Sequence, residues 1–296
     1  MASLYRGRDR VQLHLGMLPG LLVYVLFGII PSVATAVISL TNYSGIPGLP
    51  VNFVGFQNYV QAFVLDSTGL LGSIRDTLVF AVSVTVIQNA LALALAWLFT
   101  KRYPGRAIFR SLVFMPAALG VTVIGLTWAL IFNPSGGPAA NLLAVWGGNS
   151  AFFGSDTWAM PLVIFVQIWA NLGFTTIVYL AGMNTVPGEL YEAAKMDGAS
   201  GWRTFRSVTF PMIAASTTVN VLLAAVGSLN TYDLIYVLTD GLYHTNTLGM
   251  YMFNTAFEGS SNLGLAATIN MVEFVITFVV ALTLQKFLRR REEVLG

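Results

Sequence analysis

Long apolar segments dominate the chain and predict its secondary structure. Each is roughly as long as the stretch of about 20 apolar residues that a helix needs to cross a bilayer. None alternates apolar and polar residues with the period of a membrane β-barrel strand, and helices satisfy their own backbone hydrogen bonds in lipid. The segments lie at about residues 13–40, 77–99, 111–132, 158–183, 211–229 and 263–287. The pattern therefore predicts an all-α, polytopic membrane protein with six transmembrane helices.

Composition supports this class and excludes several others. Hydrophobic residues make up 56% of the 296 residues and charged residues only 9%, whereas soluble domains carry about 25% charged residues. The net charge of +2 predicts no nucleic-acid partner, and the lack of cysteine excludes disulfides and thiolate sites. His14 and His244 are too isolated to predict a metal site. We expect a multi-pass protein of the cell membrane, embedded in the lipid bilayer.

The basic residues predict the orientation of the chain, because cytoplasmic loops of membrane proteins carry an excess of Lys and Arg. Every basic residue except Arg75 belongs to one set of alternate loops and ends. These residues are Arg6, Arg8, Arg10, Lys101, Arg102, Arg106, Arg110, Lys195, Arg203, Arg206, Lys286, Arg289, Arg290 and Arg291. Both termini are therefore predicted to be cytoplasmic. The opposite loops are too short to contain a soluble catalytic domain, so we predict a single transmembrane domain over residues 1–296.

The cytoplasmic loop at residues 184–210 contains the most informative pattern. Helical spacing relates Leu190, Ala193, Ala194 and Asp197. The small residues let another surface approach this helix closely, and Gly198 can adopt a positive φ that turns the chain after it. A second short helix, from about residue 201 to residue 208, would complete a projection suited to docking in a partner's groove. An ordinary amphipathic helix on the membrane surface is the alternative.

This loop resembles the EAA loop of permeases from binding-protein-dependent ABC importers. The resemblance is carried by Glu192-Ala193-Ala194, Asp197-Gly198-Ala199, Phe205 and Pro211. Further similarity to carbohydrate-uptake permeases is carried by Val54-Gly55-Phe56-Gln57-Asn58-Tyr59, Phe132-Asn133-Pro134, Leu180-Ala181-Gly182 and Tyr232-Asp233-Leu234. One departure is Thr239-Asp240-Gly241-Leu242-Tyr243, where these permeases often have Thr-x-Gly-Gly-Pro. The resemblance implies the MetI-like fold and the first permease subunit of an importer of the maltose and glycerol-phosphate type.

The resemblance also implies partners. No lysine follows a glycine, so the chain has no G-x-x-x-x-G-K-[ST] phosphate loop. Two separate ATPase subunits would bind ATP and Mg, while this chain is not an enzyme and needs no cofactor of its own. A second homologous permease and an extracellular or periplasmic substrate-binding protein complete the expected assembly. The ATPase-coupling residues that the resemblance implies are Glu192, Ala193, Ala194, Asp197 and Gly198.

Polar residues inside the apolar segments are candidate substrate contacts, because polar groups are costly in hydrocarbon and tend to be functional there. Gln167 and Asn171 are four residues apart on one helix face, followed by Phe174. Alignment with the maltose-type permease places its sugar-contacting positions on Gln167, Ala170, Asn171, Phe174, Ala224, Gly227, Ser228 and Thr231. Gly227 stands where that site has an aromatic residue, which implies a wider pocket. The alternative for each polar residue is a hydrogen bond that joins two helices.

Glu273 places a carboxylate in the middle of the last segment, where a charge costs about 2.5–3.5 kcal/mol on insertion scales. It could bind an amino or hydroxyl group of the substrate, be protonated, or pair with a partner subunit. The predicted function is the import of a di- or oligosaccharide by alternating access, driven by ATPases docked on the EAA loop. The alternatives are import of a non-sugar solute such as glycerol phosphate or, less favourably, ATP-independent secondary transport.

Overall fold

Helices are the only extended secondary structure in the described part of the chain, where loops connect them and one isolated bridge pairs Thr41 with Phe53. The computed structural model describes residues 17–101, 103–258 and 262–295. The helices are α1 (Met17–Ile38), α2 (Gln57–Val60), α3 (Ser67–Thr100), α4 (Arg106–Ala118), α5 (Val121–Ile131), α6 (Pro138–Val145), α7 (Ala159–Asn184), α8 (Gly188–Met196), α9 (Gly201–Met212), α10 (Ala214–Leu229), α11 (Asp233–Thr239), α12 (Leu248–Phe257) and α13 (Leu263–Leu295). The predicted all-α class is confirmed.

Four of the described helices, α1, α3, α7 and α13, are each long and apolar enough to cross a bilayer. Two bent pairs pass the same test together, α4 with α5 at 107° and α9 with α10 at 73°. The count reaches six only if each bent pair is one span, so six spans and cytoplasmic termini stay predictions. The start of the first predicted span and the predicted cytoplasmic residues Arg6, Arg8, Arg10 and Arg102 lie outside the described residues, as does His14.

The third predicted segment is not the continuous helix that apolar length alone suggested, whereas the fifth is helical from Ala214 to Leu229 and bends only at its start. Pro116 has no backbone N–H to donate, and Leu119 and Gly120 are extended, with ψ of 144° and 147°. Pro211 stands two residues before the second break, where Ile213 leaves the helical region with ψ of 20°. Proline removes a helix hydrogen bond and clashes with the preceding turn. The third segment therefore consists of two helices that point in different directions, and the fifth is set at an angle to α9 of the preceding loop.

Helix α3 lies at the centre of the packing, in contact with α7, α10 and α12. It begins at Ser67, earlier than the predicted residue 77, and α13 extends past the predicted end at residue 287. All three clusters of buried apolar side chains include residues of α3, namely Phe80, Ala92 and Leu70. In contrast, α1 has no buried residue in its apolar window. Its exposed apolar side chains are therefore available to lipid.

A glycine allows α7 to lie directly against the backbone of α4. A Cβ at Gly173 would come within 2.6 Å of the Val113 carbonyl oxygen and 2.9 Å of the Phe114 Cα. Only a hydrogen atom fits in this contact, because neither backbone atom can move away as a flexible side chain would. The contact holds the break between α4 and α5 beside the middle of α7.

Candidate functional site

Two adjacent cavities lie between α7 and α10, the larger beside the break between α4 and α5 and the smaller beside α3. The larger has a volume of about 500 Å³ and the smaller a volume of about 200 Å³. Gln167, Asn171, Phe174 and Gly227 line both of them. The larger falls within the usual size range of small-molecule sites, about 300–1,000 Å³. Residues predicted from two different segments therefore meet at one place.

Gln167 and Asn171 bring amide groups to both cavities. The Asn171 Nδ2 donates to the backbone oxygen of Gln167 at 3.0 Å, which leaves one amide hydrogen and the side-chain oxygen of Asn171 available. No hydrogen bond joins the Gln167 side chain to another described residue. Phe174, 52% exposed, adds an apolar face beside the two amides. Because amides both donate and accept hydrogen bonds, this group can bind the hydroxyl groups of a solute.

Helix α10 and the residues directly after it contribute open space and two hydroxyl groups. A Cβ at Gly227 would meet nothing within 4 Å, so the cavities are wide at this point. Ser228 lines the smaller cavity and donates to the Ala224 oxygen at 2.5 Å. Thr231 lines the larger cavity and donates to the Gly227 oxygen at 2.8 Å. Because each hydroxyl proton is already used within the helix, both hydroxyl groups offer acceptor positions to a ligand.

Glu273 is not part of the cavity lining. Its side chain is 4% exposed and lines neither cavity. Its Oε1 would lie 3.4 Å from a Cβ at Gly249 of α12, and this oxygen has no hydrogen-bond partner among the described residues. The same Cβ would lie 3.5 Å from the Thr231 backbone oxygen, so Glu273 is close to the Thr231 backbone although it does not line the cavities with the other predicted residues.

Sequence reasoning missed two contributions to the cavities. Gln88 of α3 lines the smaller cavity and is 4% exposed. It is a polar residue in an apolar segment, so the signal that singled out Gln167 was present there too. The larger cavity is also lined by Pro116, Leu119 and Ile124, which flank the break between α4 and α5. Of these, only the proline gave a sign that the segment would bend.

The predicted docking loop forms a projection built from α8 and α9. Its predicted coupling residues are mostly uncovered: Glu192, Ala193, Asp197 and Gly198 are exposed, and Ala194 is half-buried. Gly198 has a φ of +69°, which fits its predicted place in the turn after α8. Met196, at the end of α8, is 88% exposed. Helix α8 thus exposes small residues and one long apolar side chain, that of Met196.

Aromatic side chains connect this projection to the membrane helices. Trp97 of α3 packs against Trp202 and Phe205 of α9 at ring-centre distances of 6.2 and 5.3 Å. The Thr209 hydroxyl of α9 donates to the Tyr191 hydroxyl of α8 at 3.3 Å. A displacement of α8 would therefore be passed to α9 and, across the bend, to α10.

A polar contact at the other end of α3 fixes the start of that helix. The Tyr251 hydroxyl of α12 donates to the carboxylate of Asp66, the residue before α3. Burial, and then the hydrogen bond and negative charge of Asp66, raise the pKa of Tyr251 above its usual value of 10.0. The hydroxyl therefore keeps its proton throughout the neutral pH range, and the bond persists.

Bent membrane helices around a polar cavity, together with a projecting pair of helices at one end, are the features of a transport permease. The profile of the family described as "binding-protein-dependent transport system inner membrane component" matches residues 88–293. The chain belongs to this family of ABC transporter permeases. This confirms the predicted family and a multi-pass location in the inner membrane.

Known proteins are similar to the chain over nearly its whole length. The trehalose/maltose transport system permease MalF of Thermococcus litoralis is 31% identical over 284 residues, with 95% of each chain covered. The sn-glycerol-3-phosphate transport system permease UgpA of Agrobacterium fabrum is 29% identical over 282 residues, with 94% of each covered. A chain of a solved bacterial alginate ABC transporter, in complex with its alginate pentasaccharide-bound periplasmic protein, superposes with a TM-score of 0.83 at 22% identity and 96% coverage of both. The predicted permease fold is confirmed.

Proposed function

We propose that the chain is one of two permease subunits of an ABC importer for a neutral di- or oligosaccharide. The observation that carries the proposal is the pair of cavities in which Gln167, Asn171 and Ser228 present amide and hydroxyl groups with Phe174 beside them. Sugars combine many hydroxyl groups with apolar ring faces, and this lining complements both. The similarity to a permease named for trehalose and maltose supports the same class of solute.

The charge of the cavities argues against a phosphorylated solute. The described residues that line them include no Lys, Arg or His, and Asp233 adds a negative group to the larger cavity. Proteins recognise phosphate with Arg, Lys or the N-terminus of a helix, and a carboxylate repels it. Glycerol phosphate is the second candidate because of the similarity to UgpA.

In this proposal α8 docks on one of two ATPase subunits, which bind ATP and Mg. Ala193 and Ala194 let the ATPase surface approach, and Glu192 anchors the helix by its charge. Asp197 and Gly198 form the turn that holds the helix at its angle. The chain itself has no nucleotide site, needs no cofactor and is not an enzyme.

Movement of α8 reaches the cavities through a short series of contacts. The hydrogen bond between Tyr191 and Thr209 joins α8 to α9, and the bend at Ile213 joins α9 to α10. Helix α10 carries Gly227 and Ser228, which line the smaller cavity. Closure of the ATPases would therefore shift one cavity wall relative to α7 and switch access from outside to inside. A second homologous permease completes the path, and an external binding protein delivers the sugar.

The test is uptake by the complete transporter in proteoliposomes, with both permeases, the ATPases and the binding protein. Trehalose, maltose and glycerol 3-phosphate are offered with and without ATP. We expect ATP-dependent uptake of a sugar that falls in Gln167→Leu and not in Gln57→Leu, a matched change at a residue that lines neither cavity. Uptake of glycerol 3-phosphate alone would refute the carbohydrate assignment. Uptake that needs no ATP would refute the importer.

A further inference from the structure

The Gln88 amide of α3 is held in one orientation by α7. Its Nε2 donates to the Thr175 hydroxyl at 2.7 Å, and the Thr175 hydroxyl donates in turn to the Asn171 backbone oxygen at 3.2 Å. A hydroxyl group has a single proton. Because Thr175 uses that proton on Asn171, it can only accept from Gln88. The amide must therefore present its NH₂ group to Thr175 and direct its oxygen elsewhere.

The side-chain oxygen of Gln88 has no hydrogen-bond partner in the part of the chain that the structure describes. The Gln88 Oε1 is buried and accepts no hydrogen bond from any described residue. The next residue, Asn89, differs in this respect: its Oδ1 accepts from the Tyr179 hydroxyl and its Nδ2 donates to the Thr85 oxygen, both at 2.8 Å. Buried polar groups are nearly always hydrogen-bonded. The Asn89 oxygen is thus used in joining α3 to α7 and its nitrogen in a bond within α3, whereas Gln88 keeps an acceptor that nothing in the described chain satisfies.

The smaller cavity borders Gln88 and offers several acceptors in addition to the free amide hydrogens of Gln167 and Asn171. Ser228 and Thr175 have used their protons within the protein, and Asn171 has used one of its two amide hydrogens. The oxygen atoms of these side chains, together with the Gln88 Oε1, suit a ligand that brings hydrogen-bond donors. A sugar hydroxyl is such a donor, whereas a carboxylate or a fully ionised phosphate can only accept hydrogen bonds and would leave these oxygen atoms without a partner.

We propose that the Gln88 Oε1 accepts a hydrogen bond from one hydroxyl group of the transported sugar, and that the smaller cavity is the subsite for that end of the sugar. This assignment rests on the proposed function. It makes Gln88 a substrate contact on α3, in addition to the contacts on α7 and α10.

The experiment combines removal of the Gln88 oxygen, the acceptor, with removal of each sugar hydroxyl group in turn, the possible donors. Uptake of trehalose and maltose, and of their monodeoxy derivatives, is measured in proteoliposomes with the wild-type complex and with Gln88→Leu. Discrimination is the ratio of uptake of the parent sugar to uptake of a monodeoxy derivative. For one derivative, we expect this ratio to be about 3- to 10-fold higher in the wild type than in the variant. The binding protein's own preference among the sugars affects the wild-type and variant complexes equally, because both are assayed with the same binding protein.

Asn89→Leu is the control, because its amide is satisfied within the protein and should leave the discrimination unchanged. Gln88→Met, which keeps the length of the side chain, replaces Gln88→Leu if co-purification shows that the latter does not assemble. Equal discrimination against every monodeoxy sugar by wild type and variant would overturn the assignment of Gln88 while leaving the importer intact. Absence of sugar uptake in the wild type would instead refute the proposed function, and the Gln88 contact with it.

Discussion

Replacement of Gly198 tests whether the geometry of the turn after α8 transmits work from the ATPases. Gly198 has a φ of +69°, and a Cβ there would meet nothing within 4 Å. A Cβ at this position therefore causes no clash within the described chain. The whole penalty is the backbone cost of a left-handed conformation, about 1–2 kcal/mol for a residue with a Cβ. This shifts the local equilibrium away from the native turn by about 5- to 30-fold.

We expect Gly198→Val to lower the amount of sugar imported per ATP hydrolysed by several-fold, while the protein stays in the membrane and the complex assembles. Gly198→Asn should stay closer to the wild type, because Asn tolerates positive φ better than other residues with a Cβ. The matched control is Gly201→Val, since Gly201 also has open space around it but does not have a positive φ. The assay measures ATPase activity and uptake in the same proteoliposomes. Equal coupling in Gly198→Val and Gly201→Val would show that the turn conformation is not what transmits the movement.

The remaining predictions concern the helix contacts and the cavities. Gly173→Ala should lower the melting temperature of the purified complex, because its Cβ would come within 2.6 Å of a backbone oxygen of α4 and overpacking typically costs about 1–3 kcal/mol. A Cβ at Gly227 meets nothing within 4 Å, so Gly227→Ala should leave the melting temperature unchanged and reduce uptake by narrowing the cavities. A lower melting temperature in Gly227→Ala together with an unchanged one in Gly173→Ala would contradict the roles given to both glycines. Gln167→Leu should raise the half-saturation of uptake about 3- to 10-fold by removing a hydrogen bond to the sugar, with ATPase assembly unaffected. Tyr251→Phe should destabilise the complex by about 1–3 kcal/mol, because it leaves the Asp66 carboxylate without its donor. Because the pKa of Tyr251 is raised in the folded protein, the stability that its hydroxyl contributes is fully present below its ordinary pKa of 10.0. The loss of stability in Tyr251→Phe should therefore be the same at pH 6 and pH 9. A loss of stability at only one of these pH values would refute this reasoning.

Local patterns predicted much of the candidate site. Gln167 and Asn171 share a face of one helix because their spacing of four residues matches the helical period, and both line the cavities. Gly198 has the positive φ that its place after a helix suggested. Glu273 was predicted by the same cost argument, yet it lies against α12, outside the cavities. The argument identifies a polar group that must be satisfied or functional, but it does not say which neighbours surround that group.

The sequence by itself determined the class of the protein, since a low charge fraction and long apolar segments permit little else than helices in a membrane. Tertiary structure decided where the helices bend and which polar residues meet. Gln88 and Asn89 are adjacent amides in the same segment, but only Asn89 finds partners for both of its polar ends. That difference depends on Thr175 and Tyr179, which are distant in sequence and reach α3 only when α7 packs against it. Periodicity is a local property that the sequence contains, whereas the satisfaction of a buried hydrogen bond depends on contacts between distant segments.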